Sequence, residues 1–294
     1  MKKMKKFLLC LAMLCGVAAT SFAGDIRDLG DSKYELRAGD LTLVVDAAHG
    51  GKVLSFKYKD VETISQSRFP ESFGSTFWTS PQKEWNWPPV PEYDKQPYTV
   101  EESSSVLRIT SNVSEKLKFR IGKEFAVSRK GNAFTVTYSI TNMDNKERKV
   151  APWEITRVPN EGFIFFDAKA EDITPANLMP FKPEFGAVWY ATDATNENRK
   201  INADGKGWLA YCNNGLMMVK KFADLDKSQP APGEAEIQVY VNRGKTYIEL
   251  ESQGTYQTLQ PGESLTWTVN WTLAPVGDLQ PSKKLLKLAR KLAK

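Results

Sequence analysis

The chain has 294 residues, 41% of them hydrophobic, with three cysteines, one histidine and a formal net charge of +5. Its size supplies one sizeable core, and all-β folds of this length often stand as one domain. The lone histidine excludes a histidine cluster for zinc, copper or iron, and leaves a Ser/His/Asp triad only if His49 supplies the base.

The charge is unevenly placed. Lys2, Lys3, Lys5 and Lys6 stand without an acid near the start, and six cations between Lys283 and Lys294 stand without one at the end. The leader thus holds +4 and the tail +6 of the total +5, leaving −5 on residues 24–280. A mildly acidic body excludes the basic stripe that nucleic-acid binding needs.

In chain order, MKKMKKFLLCLAMLCGVAATSFA reads as a secretory signal peptide cleaved after Ala23. Its apolar run, Phe7 to Ala19, is short for a bilayer span, and no later run is long enough. Cys10 and Cys15 each follow a leucine, where a lipid-anchored cysteine needs a small residue. Export is the expectation, to the periplasm or the outside. Removal of the leader keeps only Cys212, which permits neither an internal disulfide nor a thiolate metal site.

Period-two alternation then recurs almost to the end. It appears at Leu41-Leu43-Val45, Val53–Tyr58, Leu117-Phe119-Ile121, Phe134-Val136-Tyr138, Ile237-Val239-Val241, Thr246–Glu251 and Leu265–Leu273. Turn residues punctuate it at His49-Gly50-Gly51, Lys130-Gly131-Asn132, Asn213-Asn214-Gly215, Asn242-Arg243-Gly244 and Pro261-Gly262. Half-buried strands separated by tight turns, about a dozen in all, predict an antiparallel sandwich or barrel over residues 24–280. No helix is expected before residue 281.

Gly74–Tyr98 interrupts the series with Trp78, Trp85 and Trp87 beside Gln82, and with Pro88, Pro89, Pro91 and Pro97. Proline removes a backbone donor, so the stretch reads as a stiffened loop. Flat aromatic faces beside amides and charges suit a sugar; the plainer reading is an indole plug at the end of a sandwich. Asp167–Phe185 is a second irregular region, and Asp193–Asp204 reads as an exposed polar loop.

Chemistry narrows to carboxylates. Tyr247, Glu249 and Glu251 fall at i, i+2 and i+4 of a strand and share a face, with Ile248 and Leu250 opposite. Two such glutamates repel, and in a partly dry cleft one becomes a candidate general acid or base. In Ala151–Arg157, Glu154 lies on the face opposite Trp153 and Ile155, either as a desolvated acid or paired with Arg157 or a lysine. Lys116, Lys118 and Arg120 share another strand face, where Arg120 suits hydroxyls or a carboxylate. His49 reads as a turn residue. There is no EF-hand spacing, although scattered acids leave an all-oxygen calcium site open, and there is no phosphate-cradling glycine loop. No cofactor is expected.

Ser282 can cap a final helix with Leu285, Leu288 and Leu292 on one face. This basic amphipathic helix of residues 281–294 is expected to dock on the body or fray, with weak contact to an anionic surface as the alternative.

Several of these segments resemble the galactose-mutarotase-like superfamily. They are His49-Gly50-Gly51-Lys52-Val53-Leu54-Ser55-Phe56, the loop GSTFWTSPQKE, and Tyr247–Glu251 followed by Leu259–Ser264 and Trp267–Leu273. The resemblance covers most of residues 30–275 as spaced short motifs, and it is closest to an exported bacterial branch. It implies an all-β antiparallel β-supersandwich with a carbohydrate on one concave sheet face, and a late-strand glutamate as base, here Glu249 or Glu251. The family's acid histidine is missing; Trp153-Glu154 stands near that place, which makes Glu154 the candidate acid.

The resulting expectation is an aldose-epimerase-like enzyme with Trp78, Gln82, Trp85, Trp87, Arg120, Trp153 and Tyr247 shaping the sugar pocket. A non-catalytic carbohydrate-binding protein and an envelope structural or interaction protein are the alternatives.

Overall fold

The computed structural model describes residues 25–69, 72–103, 105–128, 132–193, 195–277 and 280–294. The expected leader, residues 1–23, lies outside them. The alternating segments become two antiparallel sheets of twelve and ten strands packed face to face. This is a β-supersandwich with a short C-terminal helix.

The first sheet runs in the order Lys33–Ala38, Leu41–Asp46, Lys52–Tyr58, Ser75–Ser80, Arg148–Val158, Ile248–Gln253, Ile237–Val241, Arg199–Ala203. At the centre of the second, Leu216–Lys221, Ser264–Pro275, Phe134–Asn142 and Phe119–Val127 are neighbours. Phe134–Asn142 has every second residue buried, as its sequence pattern requires. Aromatic side chains fill the space between the sheets. Phe56 meets Trp271 edge-on at 5.5 Å, and Phe77 stacks on Tyr138 at 4.2 Å. Such pairs add about 0.5–1.5 kcal/mol to what burial alone contributes.

Four local expectations need correction. The front of the tryptophan-proline stretch is a central strand, Ser75–Ser80, buried along its whole length. Pro81 ends it, and only the remainder is a loop, with a 3-10 turn at Gln82–Glu84 and a helical turn at Pro91–Asp94. The polar segment after Asp193 contains the strand Arg199–Ala203, paired with Ile237–Val241. The third concerns Lys116 and Lys118, which precede the strand Phe119–Val127; Lys118 has a positive φ of 58° and belongs to a turn. Last, Asp167–Phe185 holds two short strand pieces, Ile173–Thr174 and Lys182–Glu184.

The helix Lys283–Leu292 starts at Ser282, whose hydroxyl accepts from the Leu285 amide. It packs on the outer face of the second sheet, where Phe163, Phe165, Trp189, Trp208 and Met217 form a separate apolar cluster with Leu285, Leu286, Ala289 and Ala293. Its buried stripe is therefore rotated from the Leu285-Leu288-Leu292 face, and Leu288 and Leu292 are only half-buried. Cys212 lies in this cluster, where burial pushes its thiol pKa up and leaves it inert.

Candidate functional site

Strand register sets the site. Phe77 faces the sandwich interior, so Trp78 faces outward, and the ladder pairs Trp78 with Trp153. The same parity continues across three more strands. Arg157 pairs with Glu249, Glu249 with Tyr240, and Tyr240 with Lys200. One row of the outer face thus reads Arg157–Glu249–Tyr240–Lys200, cation and carboxylate at one end and cation at the other.

Above this row lies a groove of about 310 Å³ lined by Ser72, Trp78, Gln82, Trp87, Trp153, Lys200, Tyr240, Asn242, Tyr247 and Glu249. Trp87 is 55% exposed and stands 6.2 Å from Trp78, edge to face. The Trp78 ring is fixed from behind. Its indole N–H donates to Asp94 at 2.9 Å, and the Thr76 hydroxyl donates to the same carboxylate oxygen at 2.8 Å. Asp94 is itself buried; burial would raise its pKa, but the Lys52 ammonium 2.9 Å away and these hydrogen bonds hold it below the ordinary value. Lys52 comes within reach because the chain turns tightly at Gly50, where φ is +71° and a Cβ would lie 2.4 Å from the Asp94 carbonyl oxygen.

Glu249 is ion-paired with Arg157 at 2.7 Å. The guanidinium lies between the Trp78 and Tyr247 rings, 5.7 and 5.6 Å from their centres. Glu251, two residues on, is fully buried beneath the groove. It accepts from the Trp153 indole and from Lys200, each at 2.9 Å. Burial pushes its pKa up to about 7; Lys200 and the Trp153 N–H oppose the rise, and the charge of Glu249 adds to it. Lys200 keeps a third of its side chain in solvent and lies 4.7 Å from the Trp153 ring centre. The groove therefore offers a largely buried carboxylate, an ammonium on a side chain one-third exposed, and two phenols beside apolar ring faces.

The structure brings Trp78, Gln82, Trp87, Trp153, Tyr247 and Glu249 together, with Glu251 directly below. Three residues fall elsewhere. Glu154 pairs with Phe77 in the ladder, so it faces the sandwich interior, fully buried and ion-paired with Lys220 of the second sheet. It cannot meet a ligand in this groove. Arg120 is exposed on the second sheet, in a different cleft with Thr99, Glu101 and Asn112. Trp85 is buried behind Trp78 and Trp153, its N–H donating to the Thr79 carbonyl at 2.8 Å. It supports the wall and does not line it.

Lys200, Tyr240 and Asn242 were missed in the sequence. The alternation Arg199-Lys200-Ile201-Asn202-Ala203 was the available signal, hidden by the polar residues before it. Among the described residues no three of His, Cys, Asp and Glu are placed to hold a metal ion.

No protein-family model matches the chain, and no curated protein matches it in sequence. Solved structures do match. A proposed aldose 1-epimerase from Escherichia coli K12 aligns over 83% of this chain and 99% of its own, with a TM-score of 0.61 and 14% identity. The fold is galactose-mutarotase-like. A galactose mutarotase-like protein from Lactobacillus casei ATCC 334 aligns over 82% and 99%, with a TM-score of 0.59 and 11% identity. A proposed aldose 1-epimerase from Klebsiella pneumoniae aligns over 89% and 83%, with a TM-score of 0.59 and 13% identity. At such identities the likeness is one of galactose-mutarotase-like architecture, and the chemistry must be argued from the groove.

Proposed function

We propose that this galactose-mutarotase-like chain binds a pyranose in the groove and interconverts its anomers. Glu249 takes the proton from the anomeric hydroxyl while Lys200 protonates the ring oxygen. The C1–O5 bond breaks to give the open-chain aldehyde, rotation about C1–C2 exposes the other carbonyl face, and the same groups act in reverse as the ring closes. Trp87 and Trp78 present flat faces to sugar C–H groups, and Gln82, Tyr240 and Asn242 present hydrogen-bonding groups to hydroxyls.

The observation that carries this reading is the register row itself. Glu249 and Lys200 stand two strands apart, about 10 Å at the backbone, with Tyr240 between them. Both side chains line the same groove of about 310 Å³, a volume suited to a small ligand. Lys200, not Glu154, is then the acid. Glu251 acts as a positioning residue that holds Lys200 and Trp153 in place.

The test is anomer exchange of freshly dissolved aldoses, followed by proton NMR or polarimetry. Turnover that falls on Glu249→Gln while sugar binding persists supports the enzyme. A wild-type protein that binds sugars and never speeds exchange supports a second reading, a binding protein. That reading is favoured by the Arg157 ion pair, which already occupies the Glu249 carboxylate. Unchanged tryptophan fluorescence across a broad sugar panel would reject both. We further propose that residues 1–23 direct export, which N-terminal sequencing of the mature protein tests.

A further inference from the structure

The C-terminal helix uses up its apolar stripe against the second sheet, and this leaves its opposite side to be explained. Lys283, Lys284, Lys287, Lys291 and Lys294 are all exposed. Among the described residues none of them forms an ion pair. The remaining cation of the helix, Arg290, is taken up by Asp167 at 2.8 Å and the Gly186 carbonyl at 3.1 Å. That contact fixes the helix to the turn carrying Phe185.

Phe185 is 43% exposed, at a positive φ of 58°, and its ring meets the buried Trp189 ring edge-on at 6.4 Å. Between Phe185 and Leu286 runs a cleft of about 580 Å³, whose rim is Lys283, Lys287, Lys291 and Lys294. A neighbouring cleft adds Lys221 beside Lys291 and Lys294. Exposed Glu184, next to Phe185, is the nearest acid in sequence and offsets one of these charges.

The charge is segregated as well as dense, because residues 24–280 are net acidic. Five like charges held along this helix and just past its end repel one another, an arrangement relieved by a polyanionic partner. The partner's nature follows from Phe185. A soluble polyanion needs the cations alone. A bilayer with anionic headgroups also takes an exposed aromatic ring at the interface, beside an apolar cleft, with lysines reaching the phosphates around it.

We propose that this face, the outward side of Lys283–Leu292 together with Phe185, adsorbs to an anionic lipid surface. The helix does not enter the bilayer, since Leu285, Leu286, Ala289 and Ala293 are already committed to the protein. The groove lies on the outer face of the other sheet, so adsorption leaves it open to solvent.

Vesicle co-sedimentation tests the proposal on residues 24–294, because the apolar leader would itself bind lipid; every described strand and both apolar clusters lie within that span. Binding is expected to phosphatidylcholine vesicles that contain phosphatidylglycerol and not to phosphatidylcholine alone, and to be lost as salt rises. Each Lys→Gln change among the five should weaken binding about fivefold, and all five together by more than a hundredfold. Phe185→Ser should weaken vesicle binding and leave binding to heparin unchanged. An unchanged circular dichroism melt shows that the variants are folded. Equal binding to neutral vesicles, or indifference to the five-lysine variant, overturns the proposal. So does heparin binding as tight as vesicle binding with no effect of Phe185→Ser on either, which would assign the face to a soluble polyanion.

Discussion

Two lysine–glutamate pairs lie on opposite sides of the same sheet, and the contrast between them separates scaffold from site. Glu154 and Lys220 are 0% and 1% exposed, between the sheets, with the ammonium 4.1 Å from the Trp271 ring centre. Glu251 and Lys200 are 1% and 33% exposed, on the outer face, with the ammonium 4.7 Å from the Trp153 ring centre. The residue types and the aromatic companion are the same. What differs is one step of strand parity and one lysine that reaches water. The interior pair joins two sheets and has nothing to react with, whereas the groove pair presents an ammonium to whatever enters.

The contrast can be broken most forcefully at the interior pair. Lys220→Met leaves Glu154 buried and unpaired and should lower stability by about 3–5 kcal/mol, read as a drop in the urea midpoint. Adding Glu154→Leu should recover most of the loss; a double variant as unstable as the single one would mean that the pair is not what the first change disrupted. In the groove the effect should move from stability to rate. Glu249→Gln should slow anomer exchange by about a hundredfold or more while sugar binding persists. Lys200→Met should do the same at a stability change below about 1 kcal/mol, because its ammonium is partly solvated and Glu251 can take up a proton once unpaired. If Lys200→Met unfolds the protein as Lys220→Met does, the two pairs are alike and the distinction fails.

A smaller effect is expected at the exposed indole. Trp87→Ala should weaken sugar binding about fivefold, roughly 1 kcal/mol of lost ring contact, with no change in melting temperature. The smallest is a matter of pH. In the folded protein the Glu251 carboxyl holds its proton up to about 7, against an ordinary 4.5. Folding therefore takes up a proton between those values, and this group's contribution to stability declines as pH rises through that window. Glu251→Gln should flatten that decline in urea titrations made across the window. Equal slopes in the two proteins would mean that Lys200 keeps the carboxylate ionised throughout.

The sequence by itself determined the fold class and half of the groove. Alternation and turn residues imply antiparallel sheets because a strand exposes successive side chains to opposite faces, and Tyr247, Glu249 and Glu251 share a face for the same reason. The indoles at 78, 85 and 87 were legible as a cluster because they lie close in the chain, although Trp85 packs behind the wall and Trp153 joins it from a neighbouring strand. Only the tertiary structure decided which face was the inside. Arg148–Val158 is buried on both faces beyond its first residues, so its residues give no inside–outside contrast; Glu154 and Trp153 look equally available until Phe77 and the second sheet pack over one of them. Lys200 joins Glu249 across two ladders from 49 residues away, and Arg120 leaves the site because its strand belongs to the other sheet. Parity is a local property of the backbone. Which parity meets solvent depends on partners that are remote in sequence, and no period along the chain encodes them.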